Sequence, residues 1–263
     1  MNLKILIAGL SLGLLTTAAA ANAGALERVR SSGELRVCIW PDYYGITYRN
    51  PKTQELSGID IDLSKEFASE LGVTLRYVES SFATLVQDVT QRRCDVAMFA
   101  VGKLPQRTKV MRFSPAYLSS GIYAITMRTS RVVRNWSDID RAGVKVAVQA
   151  GTFMEPVMRE SLKQAEMVVV RPPATREQEL EAGRVDVFMT DYPYSRRLLD
   201  NADWARLISP PQPFFVLDYG YASELGDEAW GAVIDAFVAR IRRDGTLETA
   251  ARRHGLSEIV VRR

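Results

Sequence analysis

The chain has a single histidine, His254, and only two cysteines, Cys38 and Cys94. So small a supply of imidazole and thiolate leaves little for metal chemistry, and neither a metal nor another cofactor is expected. An excess of charge of one sign is also lacking, because 34 Lys and Arg face 31 Asp and Glu, a formal net charge of +3 over 263 residues. That balance argues against a nucleic-acid-binding surface, which needs a basic stripe or patch. No apolar run reaches the roughly 20 residues that a membrane-spanning helix requires. What remains is ordinary globular material, 47% hydrophobic and 25% charged, which excludes disorder and fibrous architectures as the main state. The length suits two lobes of ordinary domain size or one large α/β domain.

Residues 1–23 read as a secretory signal. Lys4 supplies a positive start, residues 5–15 an apolar core too short to span a bilayer, and Ala21-Asn22-Ala23 a small-residue cleavage site. An uncleaved anchor is the alternative. No cysteine stands near the cleavage site to take a lipid, so a freely soluble protein of the Gram-negative periplasm is expected.

Past the signal, short β-rich runs at residues 35–40, 74–78 and 95–100 alternate with helical spacing at 61–71 and 82–91. Leu63, Phe67 and Leu71 mark one buried helical face; Asp60 or Asp62 is suited to cap that helix and Gly72 to stop it. Strands separated by helices of this length predict parallel pairing through right-handed crossovers. The order then repeats, with strands at 144–148, 167–170 and 185–190 and helical stretches after Gly151 and around 176–182. Arg93-Cys94-Asp95-Val96-Ala97-Met98 is echoed by Arg184-Val185-Asp186-Val187-Phe188-Met189, either by chance between two buried strands or because one lobe design is used twice.

Two aromatic, β-branched segments, 121–127 and 214–222, fit neither set and read as paired connections between the halves. Trp230, Val233, Ile234, Phe237, Val238 and Ile241 form a helical stripe ending near Gly245, which must cover a core, most simply that of the first half. The expected fold is therefore α/β and two-lobed, each lobe a mainly parallel sheet flanked by helices, the two joined by hinge strands. Residues 24–123 and 217–263 are assigned to lobe 1 and 124–216 to lobe 2. The cleft between them is the natural ligand site, and the hinge lets it close.

Loops at the carboxyl ends of parallel strands face such a cleft. Trp40, Tyr43 and Phe82 lie there, placed either to stack on an apolar or planar ligand group or to close the edge of the core. Arg107 follows Pro105, a suitable first helical position. Its guanidinium suits a carboxylate held in two parallel hydrogen bonds; a solvated arginine is the alternative. Thr152, in Gln149-Ala150-Gly151-Thr152, offers a hydroxyl and backbone amides to the same kind of anion, or is a plain helix cap. Asp191 precedes Pro193 as a cap, or faces Arg107 as the partner for an ammonium. Ser80 and Ser81 have no histidine nearby in the pattern to act as a base, and His254 is expected at the surface.

Residues 35–40, Gly58-Ile59-Asp60-Ile61-Asp62, residues 93–100, Pro105-Gln106-Arg107, Phe113-Ser114-Pro115-Ala116-Tyr117, Gly151-Thr152 and residues 186–191 together resemble the periplasmic solute-binding proteins of polar amino-acid ABC transporters. The resemblance runs in order over nearly the whole mature chain and implies the type II periplasmic-binding fold. It implies that Arg107 and Thr152 bind the ligand's α-carboxylate, Asp191 its α-ammonium, and Tyr43 and Phe82 its side chain. It further implies a monomer that hands a small molecule to an inner-membrane ABC permease. Ala100, Gly102 and Leu104 stand where the family usually has Ser or Thr hydroxyls, so part of the carboxylate shell is missing or is supplied by backbone amides. Lys103, between them, is expected to point to solvent. Trp40 replaces a residue that is often acidic in binders of cationic amino acids, which argues for an apolar or aromatic ligand.

The same fold carries an enzyme family, the periplasmic cyclohexadienyl dehydratases, which Pro211-Gln212-Pro213-Phe214 and Met189-Thr190-Asp191 also resemble. Their proton donor is a glutamate three residues after the aspartate matching Asp191. Here that residue is Tyr194, and a phenol with a pKa near 10 is a poor acid, so no enzymatic activity is expected. Cys38 and Cys94 fall on neighbouring strands, where a disulfide and a buried pair of free thiols are both open.

Overall fold

The computed structural model describes residues 24–262, so the expected signal at 1–23 lies outside the described residues. Lobe 1 begins with α1 (Ala25–Ser32), β1 (Glu34–Ile39), the short pair β2 (Tyr48–Arg49) and β3 (Leu56–Ser57), α2 (Ile59–Leu71), β4 (Thr74–Glu79), α3 (Leu85–Thr90), β5 (Val96–Gly102), the one-turn α4 (Pro105–Thr108), β6 (Met111–Phe113) and β7 (Leu118–Ser120). Lobe 2 holds β8 (Ile122–Met127), β9 (Lys145–Gln149), α5 (Met154–Ser161), β10 (Glu166–Val170), α6 (Arg176–Glu181), β11 (Val187–Asp191), α7 (Tyr192–Leu199) and β12 (Ala205–Ile208). The chain returns to lobe 1 through β13 (Leu217–Glu224), α8 (Glu228–Arg243) and α9 (Thr246–Arg253). No helix among the described residues is long and apolar enough to cross a membrane.

The first sheet has the order β4-β1-β5-β13-β6, with β7 also on β13; the second runs β10-β9-β11-β8-β12. In each, three strands pair in parallel and one, β13 or β8, runs antiparallel to them; β6, β7 and β12 pair antiparallel to that strand and so run with the first three. β5 and β11 are buried at every residue, as strands covered on both faces by helices must be, which is why they read as unbroken apolar runs.

The two segments expected to connect the halves do carry the crossings, and each also continues as an interior strand. β8 lies between β11 and β12, and β13 between β5 and β6. The sheets part at Gly121 and between Ile208 and Leu217. There the two crossings touch, the Ile122 amide donating to the Phe214 carbonyl at 2.9 Å.

The echoed sequences do the same work in both lobes. Asp95 and Arg36 exchange backbone and side-chain bonds, the Arg36 amide reaching the Asp95 carboxylate at 2.9 Å and the Asp95 amide the Arg36 carbonyl at 2.9 Å. Asp186 repeats the arrangement on Lys145, at 2.8 Å through its carboxylate and 2.9 Å through its amide. A carboxylate at the entry of the third strand thus clamps the start of the first, in a register that leaves the opposite, carboxyl ends level at the cleft.

α8 covers the first sheet as its stripe requires. Phe67 of α2 lies 5.6 Å from Trp230 and 4.5 Å from Phe237 between ring centroids, and the Trp230 indole donates to the Asp95 carbonyl at 2.7 Å. Cys38 and Cys94 form a disulfide across β1 and the approach to β5, with α-carbons 5.5 Å apart.

The start of α2 departs from expectation. Neither Asp60 nor Asp62 caps it. The N-cap is Gly58 at φ +136°, where a β-carbon would lie 2.2 Å from the Ile46 carbonyl oxygen. Asp60 turns into the core instead, and Asp62 turns outward to Arg253 and His254 at 2.6 and 2.9 Å. His254 is accordingly not a surface residue, its side chain being 15% exposed. Gly72 ends the helix in the left-handed region at φ +68°.

Candidate functional site

The carboxyl ends of β1, β5, β9 and β11 converge between the lobes on a narrow cleft, closed down to about 20 Å³. Trp40, Tyr43, Phe82 and Ala100 line it from lobe 1, Thr152 and Asp191 from lobe 2. The three aromatics brace one another, with Trp40 5.4 Å from Phe82 edge to face and Tyr43 5.3 and 5.7 Å from those two rings.

Arg107 stands just behind this wall. α4 opens with Pro105, whose missing N–H costs nothing at a first helical position, and the single turn aims the guanidinium inward, where only 4% of the residue is exposed. It lies over Phe82 at 5.4 Å. Nη1 donates to the Gly102 carbonyl at 3.1 Å, and Nη2 crosses to the Gly151 carbonyl of lobe 2 at 2.6 Å. Burial lowers its pKa to about 10, against the influence of Tyr43 and Tyr219, so it is charged at neutral pH.

Asp191 mirrors this from the other side. It caps α7 by accepting from the Tyr194 amide at 3.2 Å. It also accepts from two lobe 1 phenols, Tyr219 at 2.7 Å and Tyr43. Burial raises its pKa, and these three donors oppose that shift. Burial also pushes the Tyr43 and Tyr219 phenols well above their usual range, so both remain protonated donors. Cation and anion therefore come from opposite lobes, and each already touches the other lobe.

Five further residues line the cleft: Phe153, Met154, Arg176, Thr190 and Tyr194. Arg176, the first residue of α6, is buried, with its guanidinium 4.5 Å from the Tyr194 ring and 5.1 Å from Phe188. An arginine in a first helical turn ordinarily reads as solvated, and nothing local in the sequence marks this one as buried.

Residues 35–257 match the family described as bacterial extracellular solute-binding proteins, family 3. The chain belongs to that family. The chain is 30% identical to cyclohexadienyl dehydratase of Pseudomonas aeruginosa over 84% of its own length and 82% of the relative's. It is 24% identical to the L-cystine-binding protein TcyJ of Escherichia coli, over 87% and 85%. Among solved structures it is similar to the ancestral amino acid-binding protein AncCDT-1, a precursor of cyclohexadienyl dehydratase. That match has a TM-score of 0.79 and 26% identity and covers 88% of this chain and 99% of that one. The fold is the type II periplasmic-binding fold.

Several positions differ from what the sequence suggested. Gly102 does not line the cleft; a β-carbon there would lie 2.6 Å from Leu217 Cδ2, so the place of a hydroxyl is filled by a leucine of β13. The Ala100 amide offers nothing to a ligand carboxylate, because it donates to Asp60 at 2.9 Å, with Ala100 itself at φ +49°. Thr152 lines the cleft but does not cap α5, whose N-cap is Phe153; its hydroxyl donates to the Gln149 carbonyl at 2.7 Å. Lys103 folds back onto the Ser114 carbonyl at 3.0 Å instead of pointing to solvent. The Tyr194 hydroxyl donates to Glu177 at 2.8 Å. Burial, with the Glu177 charge beside it, raises that phenol well above its usual range.

Proposed function

We propose that this protein is the periplasmic substrate-binding component of an ABC importer, exported by cleavage of residues 1–23 and working as a monomer. It captures a small amino acid or related carboxylate between its lobes and delivers it to an inner-membrane permease. The observation that carries this reading is the buried pair of opposite charges drawn from the two lobes, Asp191 of lobe 2 lining the aromatic-walled cleft and Arg107 of lobe 1 directly behind Phe82 in its wall. A guest carboxylate takes Arg107 and the Thr152 hydroxyl, an ammonium takes Asp191, and the remainder lies among Trp40, Tyr43 and Phe82. Because the two charges belong to different lobes, only the closed form meets both ends of the guest, and binding shifts the population toward closure.

Thermal shift across amino acids, keto acids and dicarboxylates tests the reading, since a ligand bound only by the native state raises its melting temperature. Arg107→Ala and Asp191→Ala should each abolish the shift while leaving the fold intact. An undiminished shift in both variants would reject the pose.

Similarity to cyclohexadienyl dehydratase at 30% identity favours a second reading, catalysis on the same cleft. A dehydratase needs a proton donor for the departing hydroxyl. The phenol of Tyr194, raised by burial and already donating to Glu177, is ill suited to that task. Formation of an aromatic product from prephenate or arogenate without added cofactor, followed by absorbance, would replace the transport reading with the enzymatic one.

A further inference from the structure

We infer that the cleft contains a second anion subsite, formed by Arg176 and Thr190 of lobe 2, and that the guest is a small acid carrying two carboxylates. The inference rests on the proposal that the cleft is the ligand site, and names the chemical class that fits it. Arg176 is 3% exposed and lines the cleft. Its guanidinium is fixed against the faces of Tyr194 and Phe188, and Nη1 donates to the Met189 carbonyl at 2.7 Å. Its buried Nε has no hydrogen-bond partner, and the carboxylate that feels its charge is Asp191, whose pKa it lowers. Thr190 follows Met189 on β11. It is fully buried, lines the same cleft, and its hydroxyl also lacks a partner. An unsatisfied buried polar atom is costly and rare; two of them beside one cavity mark a place where a ligand supplies the missing bonds.

The charges point the same way. Asp191 already accepts from two phenols and an amide. Arg107 and Arg176 are both buried, and among the described residues each donates only to backbone carbonyls. Asp191 is the buried negative charge near Arg176, so two guanidiniums face one carboxylate, and a surplus buried charge is strongly disfavoured. A zwitterion with one carboxylate neutralises one guanidinium but engages Asp191 with its own ammonium, and so leaves the other guanidinium unmatched. A guest with two meets both, one in each lobe, with its body among Trp40, Phe82 and Tyr194.

Isothermal titration calorimetry with matched probes tests this: L-glutamate against L-glutamine, L-aspartate against L-asparagine, and phenylsuccinate against 3-phenylpropionate. The expected result is that at least one diacid binds roughly 10- to 100-fold tighter than its partner, and that Arg176→Gln brings it down to the partner's level. Thr190→Val, which removes a hydroxyl but no existing bond, should weaken the diacid even if the arginine variant fails to fold. Equal affinities within every pair, or a preference that survives both substitutions, would overturn the second subsite and leave the cleft a ligand site. Binding of a neutral or cationic amino acid alone would do the same. Absence of binding by any amino acid or carboxylic acid would instead overturn the proposal that the cleft takes such ligands.

Discussion

Replacing Asp60 by asparagine tests how a buried carboxyl props the floor of the cleft. Asp60 is fully buried. It accepts from the Ala100 amide at 2.9 Å, from Tyr117 at 2.6 Å and from Tyr221 at 3.1 Å. Burial raises its pKa from 3.8 to about 7, with these donors opposing the shift. Below pH 4 the group is protonated in both folded and unfolded chains. Between about pH 4 and 7 the unfolded carboxyl has lost its proton while the folded one keeps it, so rising pH favours unfolding; above 7 the two states match again. About three pH units at about 1.36 kcal/mol each give on the order of 4 kcal/mol of stability lost across that window. An amide does not titrate, so Asp60→Asn should remove this slope, at a cost of about 1–3 kcal/mol near pH 4, where an acceptor has become a donor. Urea unfolding of both proteins from pH 4 to 8 isolates the effect as the difference between two curves. Parallel curves would refute the reasoning and show that the three donors hold the carboxyl ionised.

Gly151→Ala should disable closure without unfolding either lobe. Gly151 sits at φ +75°, and an added β-carbon would lie 2.5 Å from the Phe82 carbonyl oxygen of the opposite lobe; ligand affinity measured by calorimetry should fall at least about tenfold, roughly 1.4 kcal/mol, with an unchanged circular dichroism spectrum. Unchanged affinity would show that this contact does not belong to the bound state. Converting both Cys38 and Cys94 to serine should lower stability by about 4 kcal/mol from chain entropy, because the bond closes a loop with a sequence separation of 56; an unmoved denaturation midpoint would contradict this. Phe237→Ala, which empties a fully buried site against Phe67, should cost about 3–5 kcal/mol, and a loss under about 1 kcal/mol would mean that α8 repacks around the gap.

The parts of the fold that could be read from residues alone are those whose signal is local. β1, β5, β9 and β11 are short apolar runs between helices of regular spacing, and the Arg-x-Asp entries to β5 and β11 repeat because the same clamp is built twice. Arg107 was legible because Pro105 announces its helix and a strand end precedes it. β8 and β13 were not, since an aromatic, β-branched run looks the same whether it joins two halves or pairs on both edges. Asp60 resembles a helix cap because acids favour first turns, whereas its three donors come from residues 100, 117 and 221. Arg176 is hidden for a similar reason: its burial is imposed by the rings of Phe188 and Tyr194, which no spacing rule connects to it.

The insertion of β13 between β5 and β6 has a consequence for assembly. Among the described residues β6 and β7 join the first sheet only through β13, so the amino-terminal half cannot finish its sheet until residues 217–224 have arrived. Residues 122–208, by contrast, hold every strand their own sheet needs. Amide protection should thus arise in β9 and β11 before β13, because closing the longer loop carries the larger entropic penalty. A polypeptide threaded through a membrane from its amino terminus would withhold this keystone until nearly its last residues, leaving its leading half pliable for most of the passage.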